Sequence, residues 1–355
     1  MEIDRPRLLT ILDEEEAESG FSGVILLRIG GKVALAEARG LANRSEKLPN
    51  TLETRFGIAS GTKTFTALAV CQLIERGSLS LGARLADCVD QEFPGFAPDV
   101  TIVQLLTHCS GIPDYADEEE GVDYAEIWNT NPAYRFRNPA DFLPLLARRG
   151  MKFAPGQRFH YNNSGYILLG LAIEKAAGMD YHEYMAQEVF APAGMKDTGF
   201  FELDRLPART ALGYLPSSLS TEARTNIYSI PARGGPDGGL FTTAADLLAF
   251  YDALRAHRLL SPAGTASFLA PHIATSHGLS SEPGLRSQGS SHYGYGMWMQ
   301  VADGRVERMT ISGGDPGAEC FFDIYPNLDL QAIYLANCER VLGRVRRRIC
   351  ELLGK

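Results

Sequence analysis

The sequence predicts a mixed chain, α+β in organisation. One antiparallel sheet is assembled from both termini, and a mainly helical segment is inserted between its halves. Three observations carry this. Short apolar runs read as strands at residues 24–27 and 33–38 near the start, and at 305–312, 320–324 and 328–335 near the end. From about residue 61 to 289 the apolar residues recur mainly at helical spacing, in pieces broken by Pro and Gly. The 355 residues are 45% hydrophobic and 22% charged, which gives ample core and excludes a disordered or fibrous chain.

Taken in order, residues 5–18 read as a helix stopped by Gly20. The runs at 24–27 and 33–38 flank Gly30-Gly31-Lys32 and form a β-hairpin. A long helix begins near Ser60, with Phe65, Leu68, Ala69, Leu73 and Ile74 at helical spacing and Gly77 as its stop. Further helices are expected at 102–106, 139–148, 166–177, 181–190 and 244–254, and residues 276–291, rich in Ser and Gly, as a surface loop. Tyr325-Pro326-Asn327 turns the chain between the last two strands, and a helix at 340–353 closes it. No internal repeat is evident. The expectation is a single catalytic domain over 1–355, with an α/β part of about 1–60 and 290–355 and a helical part of about 61–289.

The net charge of −9 repels phosphate backbones, so no nucleic-acid partner is expected. The one basic cluster, Arg344 to Arg348, reads as a solvated helix end. No apolar run is long enough to span a membrane, and the charged start Met1-Glu2-Ile3-Asp4-Arg5 has no apolar stretch behind it, so a cytoplasmic location is expected. Cys71, Cys88, Cys109, Cys320, Cys338 and Cys350 form no C-x-x-C pair and read as buried free thiols. Neither metal nor cofactor is expected: H-E-x-x-H, G-x-x-x-x-G-K-[ST] and a helix-opening G-x-G-x-x-G are all missing.

Three segments could carry chemistry. In Ser60-Gly61-Thr62-Lys63, an (i, i+3) pair on a helix lets the lysine amine reach the serine oxygen, and the helix N-terminus favours an oxyanion. The chain has seven lysines, so one accidental S-x-x-K is about an even chance; alone, the same residues describe an N-cap serine and a solvent-facing lysine. The apolar residues after Lys63 would desolvate it, lower its pKa and suit it as a base. In Tyr161-Asn162-Asn163, a tyrosine just before a helix can point its phenol outward, and a nearby ammonium would stabilise the phenolate as a general base. The alternative is a packed tyrosine with Asn163 as the cap. The third, Ile311-Ser312-Gly313-Gly314-Asp315-Pro316-Gly317, ends a strand with small residues that let a substrate approach and leave N–H groups free, or is a plain Gly-rich strand end. A nucleophile elbow is unsupported, since no G-x-S-x-G occurs, and His108, His160 and His292 read as structural.

In combination these segments resemble the serine β-lactamase and penicillin-recognising superfamily, especially its class C-like branch with esterases and D-aminopeptidases. S-x-x-K at Ser60 and Lys63 is followed by Y-x-N at Tyr161 and Asn163. Residues 56–66 resemble the family's nucleophile helix, 105–112 its L-L-T-H-x-S-G-L block, 238–247 its G-G-L-x-S-T-x-x-D-L block and 293–296 its Y-G-Y-G. The resemblance implies a β-lactamase/transpeptidase-like α/β fold and an acyl-enzyme mechanism without cofactor. It implies Ser60 as nucleophile and Lys63 with Tyr161 as the proton-transfer pair. Asn163 would orient Lys63 and bind the acyl side, and the N–H groups of Ser60 and Gly314 would form the oxyanion hole. Ser312, Gly313 and Gly314, with Ile311, would face substrate.

One position departs from the family. Ile311 stands where a Lys or His usually supports the substrate carboxylate. Strand alternation puts Arg308 on the opposite face, and Arg233 is the remaining candidate cation. The expectation is therefore a serine esterase or amidase for small neutral ester or amide substrates. The alternatives are a β-lactamase or D-amino-acid peptidase, and a non-catalytic scaffold on the same fold. The oligomeric state stays open.

Overall fold

A computed structural model describes residues 4–146, 150–216, 224–275 and 289–354. Its centre is an eight-stranded antiparallel sheet. The strands are β1 (Gly23–Ile29), β2 (Lys32–Arg39), β3 (Ile273–Ala274), β4 (Ser290–Tyr293), β5 (Trp298–Ala302), β6 (Arg305–Asp315), β7 (Ala318–Tyr325) and β8 (Leu330–Ala336). They lie in the order β2-β1-β8-β7-β6-β5-β4-β3. β1 pairs with β8 from Gly23↔Ala336 to Ile29↔Leu330, so the two ends of the chain meet at neighbouring strands.

The hairpin turn uses Gly30 and Gly31 at φ +55° and +73°, where a side chain would be strained. β6 and β7 are longer than their sequence runs, while β8 starts two residues later than its run and ends one later. Residues 326–328 form a 3₁₀ turn, and Asp329 at φ +46° delays the strand to Leu330. Strands β3 and β4 are short and carry little sequence signal. β4 takes residues 290 and 291 from the segment expected to be loop, while 276–288 lie outside the described residues.

Alternate side chains on each strand serve different cores. Ile333 and Leu335 of β8, Phe322 and Ile324 of β7 and Ile311 of β6 face one large cluster. That cluster is shared with α2 (Thr62–Glu75), α3 (Asn163–Ala177) and α4 (Ala244–Arg255). Leu330, Ala332 and Tyr334 face a second cluster, closed by α1 (Arg5–Ser19) and α5 (Leu342–Leu352). α1 is capped by the Asp4 carboxylate on Arg7 N and ends at Gly20, φ +71°.

The arginines of α5 are not a solvated run. Arg346 is 0% exposed and clamps the buried Asp323 carboxylate with Nε and Nη2 at 2.5 and 2.7 Å. Arg344 and Arg348 pair with Glu15, Glu18 and Glu14 of α1. The basic cluster is therefore spent on fastening α5 to α1 and to the sheet. All six cysteines are buried and free. Among the described residues, no helix is long and apolar enough to cross a membrane, and no His/Cys/Asp/Glu group is arranged to hold a metal.

Candidate active site

Helix α2 is the pivot. Its first turn follows Ala59, which sits at φ +48°, a conformation that costs about 1–3 kcal/mol in a residue with a Cβ. Neighbouring backbone holds it there. Ile58 N donates to Leu240 O at 2.9 Å, Gly239 N to Ala59 O at 3.3 Å, and Thr62 Oγ1 to Ala59 O at 2.7 Å. The turn points Ser60 into a cleft of about 830 Å³ between the β6–β7 edge and the loops of the helical part.

Gly313 on β6 fixes how closely the sheet approaches. A Cβ there would stand 2.2 Å from Ile58 O and 2.7 Å from the amide nitrogens of Ser60 and Gly61, so only glycine fits. Gly314 follows with open space beside it, and Ser312, Gly313 and Gly314 all line the cleft. Ile311 does not line it. It is 0% exposed and packs beneath Gly61, its Cγ2 3.3 Å from where a Gly61 Cβ would be. The expectation that it faces substrate is corrected: the missing Cβ of Gly61 lets the branched side chain sink into the core.

Lys63 lies one turn below Ser60 and is 1% exposed. Its Nζ donates to Ser60 Oγ at 3.0 Å, Asn163 Oδ1 at 2.8 Å and the Asp237 carbonyl at 2.6 Å. Burial lowers its pKa, and the carboxylates of Asp237, Glu118, Asp114 and Asp315 oppose that shift. The same Nζ stands 4.8 Å from the Tyr161 ring centroid. Tyr161 has Ser60 as a hydrogen-bonding neighbour, yet burial, Tyr293 and Glu118 push its pKa well above the ordinary value. Burial therefore favours the phenol over the phenolate expected from proximity to an ammonium.

Two packed rings hold Tyr161. Trp298 stacks on it at 6.1 Å and 14°, and His108 lies at 4.5 Å. His108 accepts from Asn162 N through Nδ1 at 3.1 Å, and burial and Lys63 drive its pKa well down, so it is a neutral structural ring. The α3 cap is Asn162, whose Oδ1 accepts from Gly165 N at 2.7 Å. That leaves Asn163, one residue on, free to meet Lys63.

The cleft wall is acidic. Glu118, Glu119, Asp315 and Glu319 line it, and no Lys or Arg is found among the described residues that do. Burial and the neighbouring Asp237 raise the Asp315 pKa to about 7, with Lys63 pulling the other way. Arg308 is buried on the far face, where its charge lowers the Asp323 pKa, and Arg233 Nε donates to Phe200 O at 3.2 Å away from the cleft. Neither supplies the missing cation.

Sequence reasoning brought Ser60, Lys63, Tyr161, Asn163 and Ser312 to Gly314 together, and missed Asp237, Trp298, Glu118 and Asp114. Asp237 directly precedes Gly238-Gly239 and Asp114 follows the 105–112 block, so both lay beside segments already singled out.

Known proteins resemble this chain over most of its length. Residues 10–349 match the Beta-lactamase family. The chain is 30% identical over 351 residues to penicillin-binding protein 4* of Bacillus subtilis, covering 94% of this chain and 72% of that protein. It spans 62% of another B. subtilis relative, the putative penicillin-binding protein PbpX. The crystal structure of a penicillin-binding protein from Bacillus halodurans superposes with a TM-score of 0.88 at 41% identity, over 97% of this chain and 99% of that one. A D-amino acid amidase from Ochrobactrum anthropi shares the fold at 21% identity and a TM-score of 0.78, over 98% of each chain. With a family match across nearly its whole length, the chain belongs to the beta-lactamase family of serine hydrolases.

Proposed function

We propose that this protein is a serine hydrolase that forms an acyl-enzyme on Ser60, a carboxylesterase or amidase for small neutral ester or amide substrates. The observation that carries the reading is the desolvated amine of Lys63, 3.0 Å from Ser60 Oγ. Burial lowers its pKa, which favours the free amine, the form a proton acceptor requires.

In the proposed mechanism, Ser60 Oγ attacks the substrate carbonyl as its proton passes to Lys63 Nζ. The new C–O bond leaves the carbonyl oxygen negative, and the N–H groups of Ser60 and Gly314 receive it. Collapse of the adduct breaks the bond to the leaving alcohol or amine. Tyr161, a phenol at the cleft, gives that group a proton and regains one from Lys63. Water then attacks the acyl-enzyme by the reverse sequence, returning the proton to Ser60.

A carboxylate-bearing substrate would meet Glu118, Glu119, Asp315 and Glu319 with no cation lining the cleft, which argues for substrates without a negative charge. A second reading, acylation by a β-lactam, is favoured by the 41% identity to the B. halodurans penicillin-binding protein. Intact-protein mass after mixing with a p-nitrophenyl ester, and separately with a chromogenic cephalosporin, tests both. Wild type should gain the acyl mass and turn the ester over, and Ser60→Ala should lose at least about a thousandfold of that rate. An unchanged rate in Ser60→Ala removes the mechanism; fast cephalosporin hydrolysis selects the second reading.

A further inference from the structure

Asp114 is outside the cleft lining, and no step above uses it. It is 1% exposed and faces the first turn of α3. Its Oδ2 accepts from Asn163 N at 2.9 Å and Asn163 Nδ2 at 3.1 Å. Its Oδ1 accepts from Ser164 N at 2.9 Å and Ser164 Oγ at 3.1 Å. Asn163 Nδ2 also donates to Ala116 O at 3.1 Å.

Both N–H bonds of the Asn163 carboxamide therefore meet pure acceptors. Turning the amide over would set its oxygen against a carboxylate and a carbonyl and lose both bonds. The amide has one allowed orientation, with Oδ1 toward Lys63 Nζ at 2.8 Å. The next partner of Nζ, the Asp237 carbonyl at 2.6 Å, is likewise an acceptor only. As an ammonium Nζ donates to all three neighbours, Ser60 Oγ included; deprotonated to the amine that can take a proton, it keeps two N–H bonds and gains one lone pair. Oδ1 and the Asp237 carbonyl take the two N–H bonds, so the lone pair is left for the third neighbour, the Ser60 hydroxyl.

We infer that Asp114 is a positioning residue for the acylation step: by fixing the Asn163 amide it aims the Lys63 lone pair at the Ser60 proton. This rests on the reading of Lys63 as the group that takes that proton. The competing role is purely structural, a carboxylate that caps the N-terminus of α3.

A double-mutant cycle on the full chain separates the two. The probe is p-nitrophenyl acetate, with rates normalised to the sites titrated by intact mass. Asp114→Asn is expected to slow acylation about 100-fold, the scale of a misaligned reacting group. In an Asn163→Ala background the same change should cost less than about threefold, since its route of action is already gone. Because the Asp114 charge holds the Lys63 pKa up, Asp114→Asn should also move the acid limb of the acylation profile to lower pH. If Asp114→Asn does not fold, Asp114→Glu keeps the charge and displaces the oxygens; it should slow acylation with the limb unmoved. Multiplicative losses in the cycle, or a lowered melting temperature with the rate per site and the limb unchanged, overturn the proposal.

A second readout needs no turnover. The Asn163 side-chain NH₂ resonances, identified by their loss in Asn163→Ala, should exchange slowly in wild type and at least about tenfold faster in Asp114→Asn, as expected when the buried bond from Nδ2 to the carboxylate is weakened. Unchanged exchange overturns the role of Asp114. Absence of any Ser60-dependent acylation in wild type overturns the Lys63 reading instead.

Discussion

Asp315 carries a clear pH signature. Its pKa of about 7 in the folded chain stands well above the unfolded carboxylate value, through burial first and Asp237 second. Between those two values the folded state holds a proton that the unfolded state has released, so stability falls as pH rises through the window and is level above it. Asp315→Asn removes this dependence. Thermal unfolding should show wild type losing about 1–3 kcal/mol more than the variant between pH 5 and pH 8; equal losses would mean that Asp315 titrates as an ordinary surface carboxylate. The residue itself was legible, sitting in the Ser312 to Gly317 motif. Its environment was not, because Asp237 and Lys63 come from distant parts of the chain. Ile311 shows the same limit: alternation assigned Arg308 to the other face, but the depth of Ile311 depends on the absence of a Cβ at Gly61.

At the scale of elements, helix α3 was foreseen from periodicity at 166–177, yet it starts three residues earlier, at Asn163. With Asn162 as the cap, Asn163 is released to serve Lys63; a cap at Asn163 would have used its side chain on the backbone. The helix also supports the opposite wall of the site. A Cβ on Gly170 would fall 2.1 Å from Pro236 Cγ and 2.9 Å from Pro236 Cβ. Pro236 precedes Asp237, whose carbonyl takes the Lys63 hydrogen bond, so α3 sets the position of that loop. Gly170→Ala should push the loop away, destabilise the fold by about 1–3 kcal/mol and lower kcat about tenfold, with KM little changed. Stability and kcat both at wild-type level would show that the loop absorbs the methyl without moving the carbonyl. Strand β5, like β3 and β4, was not readable in advance: its five residues come just after Gly294-Tyr295-Gly296, and Trp298 gains its role by stacking on Tyr161 across the cleft.

Across the whole molecule, the placement of strands from both termini in one sheet followed from where the apolar runs fell, and the long helix after Ser60 followed from its spacing. What composition conveyed only as a net charge of −9 becomes directional in three dimensions, since acidic side chains line the candidate cleft while the arginines of α5 are consumed on the far face of the sheet. A field of this sign concentrates cations in the cleft and repels anions, and salt screens it within about 10 Å at 0.1 M. Three p-nitrophenyl esters matched in acyl length, with a terminal ammonium, methyl or carboxylate, read this out. At 10 mM ionic strength the ammonium ester should exceed the carboxylate ester in kcat/KM by about tenfold or more, with the neutral ester between them. Raising the salt to 0.5 M should shrink that ratio several-fold, because the walls act through an open, screened cleft rather than through a buried ion pair. A carboxylate ester that equals or outruns the neutral one at low salt would require a cation in the cleft, and would return the protein to substrates bearing a negative charge.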